Sequence, residues 1–74
     1  MKLEIGKFYI HEGGRNIAVV GEVITYRWGT MLVIEEADVT GHSVSCTEAT
    51  ELNENWAEIG REEWLTNFSP GGLQ

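Results

Sequence analysis

Cysteine and histidine have the most reactive side chains in this 74-residue chain, and there are three such residues: Cys46, His11 and His42. His42 and Cys46 are four residues apart, so on a strand they would share a face and lie about 13 Å apart. That separation is too long for both to bind one metal ion, and a structural zinc site needs four ligands. The spacing therefore predicts no metal site.

Cys46 is also a poor candidate for a catalytic nucleophile. A reactive thiolate needs exposure and positive surroundings, whereas the alternation around Cys46 predicts an inward side chain in an acidic half of the chain. The paired glycines Gly13-Gly14 and Gly71-Gly72 lack the Gly-Lys-Ser/Thr ending of a phosphate-binding loop. The sequence thus predicts a protein that is not an enzyme and has no cofactor. One cysteine excludes an internal disulfide, which favours a cytoplasmic location.

Paired carboxylates are the other residues that could do chemistry, at Glu35-Glu36 and at Glu62-Glu63. Neighbouring residues on a strand point to opposite faces, so Glu35 and Glu36 do not form a shared acid–base dyad. Together with Asp38 they lack the ligand spacing and glycine of a calcium-binding EF-hand loop. We interpret these three carboxylates as part of an acidic surface.

The acidic residues are unevenly distributed along the chain. Nine of the twelve lie between Glu35 and Glu63, where Arg61 is the only opposing cation, and the net charge is −7. Nucleic-acid binding draws most of its affinity from cations that contact phosphates, and anionic membranes repel an acidic protein. The charge therefore makes nucleic acid an unfavourable partner, argues against a membrane, and predicts a basic protein surface or peptide as partner.

Aromatic residues complete the candidate interaction surface. Tyr26 and Trp28 flank Arg27 at a predicted turn. In SH3-like domains, aromatic side chains at loop mouths bind peptides or enclose cationic side chains. The candidate surface consists of Tyr26, Trp28, Glu35, Glu36 and Asp38. The alternative is that these rings plug the ends of a small barrel.

Hydrophobic patterning places these residues on short strands and one helix. Gly21 interrupts the second strand and predicts a bulge or bend. The third strand should end where Glu35-Glu36 emerges into water, and the fourth should bury Val44 and Cys46 on alternate positions. The predicted strands are residues 7–11, 17–26, 31–34, 42–47 and 56–59, followed by a helical stretch over 61–68.

Five short strands and a terminal helical turn predict a mainly β fold, a small five-stranded SH3-like barrel, with an OB-like barrel as the second choice. One domain is expected over residues 1–69, with a loose tail over 70–74. Trp56, Trp64 and Phe68 are expected in the core, because an apolar stripe at helical spacing docks the last turn.

Several short motifs are distributed along the chain. They are Gly6-Lys7-Phe8-Tyr9, Trp28-Gly29, residues 31–38, Gly41-His42 and residues 56–64. Together they resemble short, uncharacterised proteins encoded by phages and prophages. The resemblance runs from Gly6 to Phe68 and implies a small β-rich accessory protein in a bacterial cell, with no catalytic residues.

Three functions remain open from the sequence. The first is a non-enzymatic protein-interaction module with an acidic face. The second is a small self-associating subunit of a larger assembly, which predicts an exposed apolar edge, with Trp56 or Trp64 unburied. The third is a weak nucleic-acid-binding barrel, with Tyr9 facing outward beside Tyr26, Arg27 and Trp28 as a stacking platform.

Overall fold

A computed structural model describes residues 1–38 and 41–68 of the chain. They form five antiparallel strands and one helix: β1 (Phe8–His11), β2 (Asn16–Thr25), β3 (Gly29–Asp38), β4 (Gly41–Thr47), β5 (Trp56–Ile59) and α1 (Arg61–Phe68). The predicted mainly β fold with a short C-terminal helix is confirmed. The predictions for residues 70–74, and for the side chains of Asp38 and Phe68, lie outside the described part.

The five strands form one sheet in the order β4-β3-β2-β1-β5. The first four follow one another as a meander, and β5 returns to pair with β1, where His11 lies opposite Trp56. Gly14 and Gly29 adopt positive φ angles of 100° and 71° at the ends of the first two turns, a conformation that glycine adopts without steric cost. Within residues 1–38 and 41–68, no ladder joins β4 to β5, so the sheet is open.

A β-bulge divides β2 into two halves. Val19 pairs with Ile34, and the next pair is Gly21 with Val33, so that Val20 has no partner on β3. This confirms the predicted irregularity at Gly21. Val20, the extra residue, is exposed and follows the part of β2 that pairs with β1.

The hydrophobic core lies on one face of the sheet, with Leu3, Tyr9, Ile17, Val19 and Ile34 as its buried residues. The N-terminal segment covers this face by pairing with residues 50–52. The Leu3 amide donates to the Thr50 carbonyl at 2.9 Å, and the Leu52 amide donates to the Met1 carbonyl at 2.7 Å. Small domains need such a covering layer, because a sheet is stable only when its apolar face is packed.

Tyr9 corrects one expectation from the sequence. Its side chain is 1% exposed, so the prediction that it faces outward on the first strand was wrong. Its hydroxyl accepts a hydrogen bond from the Glu4 amide at 3.0 Å and donates one to the Lys2 carbonyl at 3.2 Å. The residues that cover Tyr9 precede the first strand and showed no strand pattern of their own.

Helix α1 covers part of the opposite face. Trp64 is buried, as predicted, and its ring lies 5.7 Å from that of Phe8 on β1. The Asn67 side-chain amide Nδ2 donates to the Asn16 side-chain oxygen Oδ1 at 3.2 Å, which ties the helix to β2. Trp56, also predicted in the core, is half-buried on the other face, against the main core cluster.

The third and fourth strands differ from their predictions. Strand β3 continues to Asp38, with Glu35 and Glu36 inside it and half-buried, because both carboxylates have hydrogen-bonding partners on neighbouring segments, Arg15 for Glu36 and His42 for Glu35. Strand β4 was expected to bury Val44 and Cys46, and both are exposed. Strand β4 lies at the edge of the sheet, and α1 packs mainly against β1, β2 and β3.

Candidate functional site

The structure separates the aromatic and acidic halves of the predicted interaction surface. Tyr26 and Trp28 lie in the turn between β2 and β3, whereas Glu35 and Glu36 lie near the other end of β3. Seven residues of extended strand between Trp28 and Glu35 span about 23 Å. One cationic side chain therefore cannot be enclosed by the rings and contact these carboxylates together.

Both carboxylates on β3 are already engaged. Glu36 accepts two hydrogen bonds from the Arg15 guanidinium, from Nε and from Nη2, the latter at 3.0 Å. Glu35 Oε2 lies 2.8 Å from His42 Nε2 on β4. The two residues point to opposite faces, as expected for neighbours on a strand. They contribute local ion pairing more than an open acidic surface.

The exposed aromatic residues belong to a projecting hairpin that we call the arm, residues 20–31. No described strand pairs with the outer edge of β2 from Val20 to Thr25, and β4 pairs with β3 only from Leu32 onward. The arm is therefore a two-stranded ribbon whose tip lies about 15 Å beyond the three-stranded region. It fits the elongated shape of the molecule, which measures 39 × 25 × 19 Å.

The arm exposes large apolar side chains that a soluble domain usually buries. Ile24 is 81% exposed and Trp28 is 61% exposed, while Tyr26 is fully exposed. Val20 and Val23 add to this surface. The Arg27 guanidinium lies 5.7 Å from the centre of the Trp28 ring, so it stacks on the exposed indole. Large exposed apolar side chains concentrated on one element are typical of an interaction site.

A groove of about 370 Å³ opens on the core side of the sheet, between β3, β4 and the segment 48–55. Its apolar lining consists of Leu3, Ile17, Ile34, Leu52 and Trp56. The volume is at the lower end of the range of ligand sites, roughly 300–1,000 Å³. This site was missed from the sequence, because its residues come from five separate segments and carry no shared motif.

Polar groups border the groove at well-defined positions. Arg15 stacks on the Trp56 ring, 5.4 Å from its centre, while its guanidinium is held by Glu36. Ser45 and Thr47 line the opposite side on β4. The border is therefore rigid, with a fixed ion pair on one side and small hydroxyl side chains on the other.

The segment beside the groove is strongly acidic. Residues 48–55 contain Glu48, Glu51 and Glu54 and no cation. All three are exposed, and within the described residues none of them forms an ion pair. We call these residues the acidic wall. These three carboxylates are available to a cation from another molecule.

Reactive groups are dispersed over the structure. In the described ranges, no three His, Cys, Asp or Glu side chains come close enough to hold a metal ion. Cys46 lies opposite Val33 on the sheet and His42 lies opposite Ala37. The His11 ring packs edge-on against Trp56, with Nδ1 accepting a hydrogen bond from the Gly13 amide.

Comparison with known proteins gives no relative for this arrangement. No protein-family model, curated protein or solved structure matches the chain. Among the described residues, no helix has the length and apolar character needed to cross a membrane. The arm, the groove and the acidic wall are the features of this molecule that could bind a partner.

Proposed function

We propose that this protein is a non-enzymatic protein-interaction module, and that the arm is its contact surface. The observation that carries this proposal is the exposure of Ile24, Tyr26 and Trp28 on a ribbon that projects from the sheet. Aromatic residues are enriched at the centres of protein interfaces, because they bury large areas with few rotatable bonds. The arm needs an apolar groove in its partner.

A basic protein surface or peptide is the proposed partner of the acidic wall. Glu48, Glu51 and Glu54 are exposed on one segment that contains no cation of its own. Charge complementarity of this kind speeds encounter and selects among partners more than it sets affinity. The proposal includes a cytoplasmic, phage-type accessory role, which is supported by the sequence motifs and by the single cysteine.

We propose a specific fold within the mainly β class as well. We infer an SH3-like barrel that is partly open, on two observations. The strand order, a meander whose fifth strand returns to β1, is the connectivity of such barrels. The bulge at Val19–Gly21 supplies the bend that passes β2 from one half of a barrel to the other.

Site-specific photo-crosslinking tests the arm as the contact surface. A photoreactive p-benzoylphenylalanine replaces Trp28 in one variant and Val44 in a matched control, because Val44 is equally exposed but lies on β4. Crosslinking in cells should capture a protein from position 28 and little from position 44. Equal capture from both positions, or from neither, would contradict the proposal. For a captured basic partner, an affinity that does not change with ionic strength would contradict the role of the acidic wall.

A self-associating structural subunit is a second candidate, and one observation favours it. This function predicts an exposed apolar edge, and the arm provides one, although Trp64 is buried and Trp56 is half-buried. Nucleic-acid binding has less support. Tyr9 is buried and so is lost from the stacking platform, and Arg27 is the only cation on the arm.

A further inference from the structure

The arm and the groove have complementary surfaces on the same chain. We propose that the arm of one copy docks in the groove of a second copy, with Trp28 over the apolar lining, so that the chain assembles head to tail. This inference rests on the proposed function, in which the arm is the contact surface. It identifies the partner of the arm as another copy of this protein.

The apolar surfaces match in kind and scale. The groove is lined by aliphatic side chains and by Trp56, and its volume of about 370 Å³ suits one large side chain with part of its neighbours. Trp28 is the largest exposed residue on the arm and lies at its tip. Burying one indole in a lined groove is the usual form of an energetic hot spot.

Charge complementarity favours a second copy despite the net charge of −7. Within the arm, Glu22 and Arg27 cancel, so the whole net charge lies elsewhere on the chain. The arm is thus a region that can approach another acidic chain without adding like charge. In the docked position, Arg27 next to Trp28 faces the acidic wall, where Glu48 and Glu51 flank the groove-lining residue Ala49.

Docking within one chain is excluded by the direction of the arm. The groove is bordered by Ser45 and Thr47, and Thr47 pairs with Leu32 at the base of the arm. The tip lies about 15 Å further out along a paired ribbon. The contact must therefore join two copies, and it uses different surfaces on each. Such heterologous contacts produce rings or open chains rather than closed dimers.

Two complementary variants test the proposal. The arm variant carries Tyr26→Ser and Trp28→Ser, and the groove variant carries Ser45→Trp, which fills the groove from the exposed edge strand. Val44→Trp is the matched control, because residue 44 lies on the same strand but on the opposite face. Circular dichroism and thermal unfolding establish that each variant is folded, and light scattering after size exclusion gives its mass.

The expected masses follow from the geometry. The unaltered chain and the Val44→Trp control should form species larger than one chain as concentration rises, and each of the two test variants should be monomeric. Mixing the two variants should give a dimer of twice the monomer mass, because one supplies an intact arm and the other an intact groove. That dimer cannot grow, since its remaining arm and groove are both disabled.

Three results would overturn the inference. First, an unaltered chain that is monomeric at millimolar concentration would rule out docking between copies. If position 28 still crosslinks to a different protein in that case, the proposed interaction function stands without self-association. Self-association by the groove variant that is lost only in the arm variant would indicate pairing between two arms. A mixture that stays monomeric, with both variants folded, would show that the arm and the groove do not bind each other.

Discussion

Tyr9 shows at the scale of one residue how the N-terminal segment is held on the sheet. Its buried hydroxyl bonds to the Glu4 amide and to the Lys2 carbonyl. Tyr9→Phe leaves both backbone groups without this partner, and we expect a loss of about 1–2 kcal/mol in the free energy of unfolding, measured in urea. The control Tyr26→Phe removes a hydroxyl from a fully exposed ring and should change stability by less than about 0.5 kcal/mol. Equal effects would contradict this role for Tyr9.

Single-residue burial was the hardest property to predict from the sequence. Alternation correctly separates the two faces of a strand, but it does not say which face is covered. Tyr9 is buried because residues 1–3 pair with residues 50–52, a contact between segments about fifty positions apart. Val44 and Cys46 alternate like buried residues, yet both are exposed on the edge strand β4. The covering layer is a tertiary feature, which strand patterning does not contain.

The Lys7–Glu58 ion pair gives a pH dependence at the same scale. The hydrogen bond from Lys7 Nζ to Glu58, 3.1 Å long, and the charge of that carboxylate raise the pKa of Lys7 above its ordinary value of 10.5. A lysine with a raised folded-state pKa stabilises the fold below its unfolded pKa, and this contribution is lost as pH rises through the folded pKa. Lys7→Gln should therefore be less stable than the unaltered chain at neutral pH.

The difference in free energy of unfolding between Lys7→Gln and the unaltered chain should shrink as pH passes 10.5. Paired urea titrations on either side of that value measure it. The pair is exposed at the sheet edge, so the effect at neutral pH should be small. Lys2→Gln is the control, since the Lys2 side chain forms no ion pair within the described residues. A difference that stays constant through this pH range would show that the ion pair is not its cause.

At the scale of elements, the arm depends on two glycines with different roles. Gly29 has a φ of 71° at the turn that begins β3, whereas Gly21 at the bulge has no positive φ, and a Cβ at either position would meet open space. Gly29→Ala should lower the free energy of unfolding by about 1–2 kcal/mol, because a residue with a side chain is strained in this conformation. Gly21→Ala should raise the free energy of unfolding by about 0.5–1 kcal/mol, because alanine restricts the unfolded chain. The urea unfolding midpoints of the two variants test this difference, and equal changes in both would contradict different roles for the two glycines.

Local sequence signals predicted where helices and strands lie better than they predicted the surroundings of their side chains. Helix α1 and strand β5 have the bounds expected from the sequence, because Gly60 and the carboxylates Glu62 and Glu63 mark the start of the helix. Strand β3 was predicted too short, since a pair of carboxylates normally ends a buried strand. Here Arg15 and His42, which come from neighbouring strands, allow Glu35 and Glu36 to continue the ladder. That compensation depends on strand register, which was not known from the sequence.

At the scale of the whole molecule, the sequence predicted an acidic surface but not its arrangement. Folding places Glu36 in an ion pair with Arg15 and Glu58 in one with Lys7, and it places Glu35 within hydrogen-bond distance of His42. The acidic wall remains on the segment beside the groove, and the arm stays electrically neutral. The charge asymmetry along the chain thus becomes a contrast between a neutral apolar projection and an acidic body.

This distribution predicts how salt affects the stability of the chain. The ion pairs Lys7–Glu58 and Arg15–Glu36 are at least partly exposed, whereas the net charge is −7. Repulsion among the remaining carboxylates therefore exceeds the attraction within the pairs, and screening should stabilise the fold. The melting temperature should rise with NaCl, by about 4–8 °C for each kcal/mol of repulsion removed. Replacing Glu48, Glu51 and Glu54 by Gln should raise the melting temperature at low salt and reduce the salt effect. A melting temperature that falls with NaCl would show that the ion pairs outweigh the repulsion.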